Sequence, residues 1–194
     1  MKALLFDYGA GNLHSLQRAL QHLGVATTIG DDPTARADEL LVLPGVGAFG
    51  LAADRLAPRR EAVRAQVAAG RPVLGICLGM QLLFDRSDED GGRAGRGLGC
   101  LPGAVVRLGT RRVPHIGWAP VGDGPPMYFA HSFVCRASEP SLVVAEAQHE
   151  DERFAAIVRC EAIVGVQFHP EKSSTAGLSL LGALLASLAG KGAP

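Results

Sequence analysis

The sequence predicts an α/β fold: a single domain over residues 1–194, built on an open, mostly parallel sheet flanked by helices, with antiparallel strands in its second half. Three observations lead there. Short apolar runs alternate with helical patterns through the first half, as strands buried on both faces of a parallel sheet require. The second half carries closely spaced strand patterns with few helices between them. Neither a repeat nor a linker divides the chain, and 194 residues suffice for one full core.

The elements follow in order. "KALLFDYG" is a short apolar strand ending in a turn. In "NLHSLQRALQHLG", Leu13, Leu16, Leu20 and Leu23 share one helical stripe, closed by Gly24 as a C-cap. "VATTIG" and "ELLVLPG" are strands, "AFGLAADRLAPRREAVRAQVAAG" is a helix interrupted at Pro58, and "RPVLGIC" is the next strand. The acidic, glycine-rich "DRSDEDGGRAGRGLG" is expected to be a surface loop. "GAVVRLG", "MYFAHSFVCRA", "LVVAEAQ", "FAAIVRC" and "AIVGVQFH" are strands, and a last helix begins near "SSTAGLSLL" with Ser173 or Ser174 as N-cap.

Composition narrows the function. A formal net charge of zero with no basic run gives no electrostatic reason for nucleic-acid binding. The N-terminal "MKALLFDYGAGN" reaches an aspartate and a glycine turn too early for a signal peptide, and the apolar run in "GLSLLGALLASLAG" is too short for a bilayer, so no membrane association is expected. Cys77, Cys100, Cys135 and Cys160 form no CxxC pair, so no metal site, no disulfide framework and a reducing, cytoplasmic setting are expected. No cofactor is expected. "GVGAFG" has the GxGxxG spacing of a dinucleotide site, but the next strand ends without the acidic residue that would hold a ribose, and Pro44 intrudes at the turn.

The chemistry lies at strand ends, where open parallel sheets place their ligands. "GICLG" sets Cys77 between Gly75 and Gly79 at a strand-to-helix transition, the form of a nucleophile elbow with sulfur in place of a hydroxyl. The glycines let strand and helix approach, and the helix N-terminus favours a thiolate. A nucleophile needs a base. Of the six histidines, His169 in "GVQFHPEKS" ends a strand, and Glu171, two residues on, leaves on the same side if the strand direction persists. His14, His22 and His149 are expected to be solvated, and the other three cysteines to be structural. For each motif alone the bland reading is the commoner one: a buried cysteine in a tight turn, a His-Pro turn beside an exposed glutamate. Together they make a Cys–His–Glu constellation. The backbone N–H of Leu78 and one from "PGVGAFG" are candidate oxyanion donors.

These motifs resemble the class I (triad) glutamine amidotransferases: "PGVG" as oxyanion strand, "GICLGMQLL" as elbow, "GVQFHPEKS" as base and orienter. Within that family, "DYGAGNL", "LPGVGAF", "PHIGW" and "YFAHSF" are similar to the glutaminase subunits of imidazole glycerol phosphate synthases, which serve histidine biosynthesis. The resemblance implies that Cys77 attacks the side-chain amide of glutamine, that Gly47 and Leu78 hold the oxyanion, and that His169, held by Glu171, moves the protons. It implies glutamine contacts at Gly45, Gln81 and the segment His131, Ser132 and Phe133. It also implies a separate (β/α)8-barrel cyclase as partner in a heterodimer, receiving ammonia through a face that includes Asn12, Trp118 and Lys172. Two departures stand out: the family usually has tyrosine at Phe133 and often asparagine at Ala119, beside the partner-facing surface. The glutaminase of pyridoxal phosphate synthase, a free-standing cysteine hydrolase and a non-enzymatic binding subunit are the rival readings. Activity without any partner would mark the hydrolase, and the intact Cys77, His169 and Glu171 argue against the non-enzyme.

Overall fold

The computed structural model describes residues 1–34, 39–89 and 95–190. Its centre is a seven-stranded sheet in the order β10-β11-β12-β4-β3-β1-β2. The strands are β1 (Lys2–Phe6), β2 (Ala26–Gly30), β3 (Leu40–Leu43), β4 (Val73–Ile76), β10 (Val143–His149), β11 (Glu152–Cys160) and β12 (Ile163–Val166). From β2 to β12 every neighbouring pair is parallel, and β10-β11 and β11-β12 are antiparallel. The predicted class is therefore the observed one.

The strands are continuously apolar because both faces are covered. Along β1, Ala3 and Leu5 enter one core while Leu4 and Phe6 enter the other. In β3, Leu40 and Val42 face the first core, and Leu41 and Leu43 the second. Each such side chain, fully buried, stabilises the fold by roughly 1.5–3 kcal/mol relative to exposure. On the first face lie α1 (Leu13–His22) and α5 (Ser174–Ala189), with the hairpin β7 (His115–Pro120) and β8 (Pro126–His131). On the second lie α2 (Phe49–Leu56), α3 (Arg60–Ala68) and α4 (Leu78–Leu82). A small sheet of β5 (Phe84–Ser87), β6 (Leu101–Arg107) and β9 (Phe133–Ala137) completes the molecule. Among the described residues no helix is long and apolar enough to cross a membrane.

Several local expectations need correction. "MYFAHSFVCRA" is two strands, β8 and β9, which part at Ser132 to join different sheets. "PHIGW" is itself strand β7, and Asp85, Arg86 and Ser87 of the expected surface loop form most of β5; residues 90–94 of that loop lie outside the described residues. β7 alternates over only six residues, and in β5 the two exposed residues are adjacent, so neither registers as a strand pattern in sequence. Ser173 does occupy the N-cap position of α5, yet its hydroxyl caps nothing. It donates to the His169 carbonyl at 2.6 Å and accepts from the Tyr128 N–H at 2.9 Å, tying the turn after β12 to β8.

Candidate active site

Parallel pairing of β4 with β12 builds the site. Ile76 stands opposite Val166, so the residues that follow each strand emerge side by side. The Cys77 N–H continues the ladder, donating to the Val166 carbonyl at 2.7 Å. Cys77 then turns sharply, with φ 51° and ψ −108°, into α4. Such a conformation costs a non-glycine residue on the order of 1–3 kcal/mol, and it persists because its surroundings hold it. Gly75 is needed there: a Cβ would lie 2.8 Å from the Gly79 carbonyl oxygen. Gly45 is needed for the same approach, since its Cβ would lie 2.6 Å from Leu78 Cβ. The Tyr8 hydroxyl, buried behind this contact, donates to the Pro44 carbonyl and so pins the strand that precedes Gly47.

His169 reaches the sulfur's neighbourhood from β12, and Glu171 holds it: Nδ1 lies 2.9 Å from Oε1, with the two side chains 2% and 5% exposed. The route differs from the sequence expectation. The strand ends at Val166, and Pro170–Lys172 is a 3₁₀ turn, so the turn rather than strand alternation returns Glu171 to the imidazole. Burial alone would drive the His169 proton off. Hydrogen bonding and charge from Cys77 and Glu171 outweigh it and raise the imidazole pKa to about 9. Nε2, by contrast, is buried without a geometrically complete hydrogen bond. It is thus available to a group that arrives at the sulfur.

A cavity of about 300 Å³ opens at Cys77. Gly47, Leu78, Gln81, His131, Ser132 and Phe133 all line it, so six of the sequence-derived positions converge on the nucleophile. Gly45 is buried behind them and does not line the cavity. Gly47 has φ +115° with open space where a Cβ would be, so backbone conformation and not packing favours glycine there. Phe133 offers its carbonyl, which accepts from Gln81 Nε2 at 3.0 Å and from His131 Nδ1 at 3.0 Å. Loss of the tyrosine hydroxyl therefore leaves these backbone contacts intact.

Three residues escaped the sequence reading. Glu89 is the one carboxylate lining the cavity among the described residues, and its Oε2 accepts the Phe49 N–H at the start of α2. It sits in an acidic stretch, and nothing in the local pattern separates it from Asp88. Gln167 is fully buried and donates to Cys77 Sγ at 3.5 Å. A glutamine inside an apolar strand end was the available signal. His149, expected to be solvated, stacks on His115 with centroids 4.2 Å apart. His115 and His131 are buried in turn, and burial first, then neighbouring imidazoles, pushes their pKa values down to about 4 and about 3.

Asn12, Lys172 and Trp118 are all exposed. Asn12 is exposed and caps α1, its Oδ1 accepting from the Ser15 N–H at 3.2 Å. Lys172 is exposed in the turn after His169. Trp118 is 54% exposed, so it is not a core residue, and its ring meets Tyr128 edge-on. Ala119 points the opposite way, into the core, and therefore does not shape the surface beside Trp118.

The glutamine amidotransferase class-I family model matches residues 4–182. The chain belongs to the class-I glutamine amidotransferase family. Curated relatives narrow the group: it is 42% identical to the imidazole glycerol phosphate synthase subunit HisH of Halobacterium salinarum, over 92% of this chain and 89% of that one. The HisH subunit of Pyrococcus furiosus is 42% identical over 91% and 94%, and that of Symbiobacterium thermophilum 44% over 93% and 91%. Among solved structures, a glutamine amidotransferase superposes with a TM-score of 0.71 at 20% identity, covering 95% and 98% of the two chains. PurLQS from Thermotoga maritima follows at 0.69 and 20%, covering 96% and 98%, and these two establish likeness of fold.

Proposed function

We propose that this class-I amidotransferase is the glutaminase subunit of an imidazole glycerol phosphate synthase, with Cys77, His169 and Glu171 as its triad. The buried His169–Glu171 pair, whose imidazole interacts with Cys77, and the opening of Cys77 itself onto a cavity of amino-acid size carry the reading. The HisH names of its relatives support the choice of synthase. Glutamine enters with its α-ammonium toward Glu89 and its backbone polar groups against the segment 131–133. The Cys77 sulfur attacks the amide carbon, a C–S bond forms, and the carbonyl pair moves to oxygen. Leu78, first residue of α4, has an N–H that the helix leaves unbonded, and it donates to that oxygen together with the Gly47 N–H. His169 gives the Nε2 proton to the departing nitrogen, the C–N bond breaks, and ammonia leaves behind a thioester. His169 then takes a proton from water as the water attacks, the C–S bond breaks, and glutamate is released. Glu171 steadies the imidazolium at both stages.

Ammonia passes to a separate cyclase docked over Asn12, Trp118 and Lys172, which makes imidazole glycerol phosphate and an aminoimidazole carboxamide ribotide. The decisive experiment is Cys77→Ala assayed in complex with the cyclase. Glutamine-dependent synthesis disappears, while synthesis from ammonium salts survives. Equal loss of both activities in an intact complex overturns the division of labour.

A further inference from the structure

We propose that Gln167 is a further catalytic residue of this site: its side-chain amide donates to the Cys77 sulfur and stabilises the thiolate as the thioester breaks down. The proposal rests on Cys77 being the nucleophile. The Gln167 side-chain amide lies 3.5 Å from Sγ, and it is completely buried.

The direction of that bond is set by a chain of neighbours. The Phe133 carbonyl can only accept, so the atom of Gln81 that faces it at 3.0 Å is the amide nitrogen. The same nitrogen lies 3.2 Å from the Gln167 amide and has only hydrogens to offer, so Gln167 turns its oxygen there. Its NH2 group is then left facing the sulfur. The other contact to the Phe133 carbonyl fixes His131 with the proton on Nδ1. Its Nε2 is therefore an acceptor, met by His115 Nδ1 at 3.2 Å. Turning either amide over sets two donors or two acceptors face to face. All four side chains are buried, so water cannot repair the mismatch.

The chemistry gives this bond a definite step. During acylation the sulfur pair becomes the C–S bond, and an N–H on sulfur stabilises the starting thiolate rather than the product. During hydrolysis of the thioester, water adds, the C–S bond breaks and the electron pair returns to sulfur, where the waiting N–H receives it. The proton of Gln167 stays on nitrogen throughout. Deacylation is the step that gains, because a neutral thioester sulfur accepts weakly and the departing thiolate strongly.

The test uses Gln167→Glu and Gln167→Met in the complex with cyclase and its nucleotide ligand. Gln167→Glu keeps the length and the oxygen toward Gln81 but has no amide hydrogen for sulfur when ionised. Both variants are expected to lower kcat for glutamine about ten- to hundredfold, with KM falling in parallel. The γ-glutamyl thioester on Cys77 accumulates and is read as added mass after rapid quenching, while ammonium-dependent synthesis stays near wild type; the melting temperature falls in Gln167→Glu, whose carboxyl is fully buried, and falls less in Gln167→Met. An unchanged kcat overturns the proposal. So does a loss of kcat without accumulated thioester, which assigns Gln167 a packing role. Wild-type glutamine hydrolysis by Cys77→Ala overturns instead the reading of Cys77 as nucleophile.

Discussion

His169 keeps a proton that its burial alone would remove, and this is the residue-scale fact with the clearest measurable consequence. Its folded pKa, about 9, lies above the ordinary 6.5, so the folded state binds the proton more tightly than the unfolded chain does. That stabilisation is complete below about pH 6.5 and is lost as the pH rises through 9. His115 and His131 act in the opposite sense. Their values of about 4 and about 3 mean that stability is complete above 6.5 and is lost as the pH falls toward 4 and below. Thermal melts across this range are expected to show a decline on both sides. Glu171→Gln, which removes the charge facing Nδ1, flattens the alkaline decline; an unchanged alkaline slope refutes the pairing. Cys77, His169 and Glu171 were legible in sequence because their chemistry restricts residue type and their flanking glycines and proline restrict backbone. Gln167 and Glu89 were not legible, because an amide or a carboxylate becomes functional only through what it faces.

Among the elements, the turn from β4 into α4 was readable in advance, and the reason is steric. Gly75 is required by a backbone oxygen at 2.8 Å from its absent Cβ, and such an approach leaves the same glycine–x–cysteine–x–glycine imprint wherever it occurs. The loop between β3 and α2 that carries Gly47 is different in kind. Nothing would touch a Cβ there, so a substitution costs only the φ of +115°. Gly47→Val is therefore expected to leave the fold and the affinity for the cyclase intact while lowering glutaminase activity of the complex at least tenfold, because a β-branched residue does not hold that φ and the N–H at position 47 turns away from the cavity. Steady-state glutaminase rates beside a binding titration decide it; full stimulated activity in the variant removes Gly47 from the oxyanion site. The misread "MYFAHSFVCRA" teaches the complementary lesson. Its apolar pattern runs on through Ser132, and only the register of Gly117 with Phe129 and of Val106 with Val134 divides it between two sheets.

At the scale of the molecule, the mouth of the site is apolar and open. Ile116 is 64% exposed and Trp118 54%, both on the outer face of β7, with Val46 at 44% in the loop between β3 and α2. An exposed aromatic beside other exposed apolar residues is the usual anchor of a protein interface. Trp118→Ala is expected to weaken cyclase binding by about 2 kcal/mol, close to thirtyfold, read by calorimetry. Glutamine hydrolysis by the isolated variant is expected to remain at the low rate of the isolated wild-type chain. Undiminished binding excludes Trp118 from the interface.

The sequence alone determined the layered α/β class, the steric form of the elbow, and the residue types offered as candidate nucleophile, base and orienter. Each is dictated locally, by apolar periodicity, by the backbone freedom of glycine or by the chemistry that a residue type can perform. The tertiary structure decided what those residues face. Pairing of β4 with β12 set Cys77 beside Gln167 and His169, and the parting of β8 from β9 turned the Phe133 carbonyl toward Gln81 and His131. Such contacts join positions far apart in the chain, and a hydrogen bond acquires its direction only when the groups at both ends are in place.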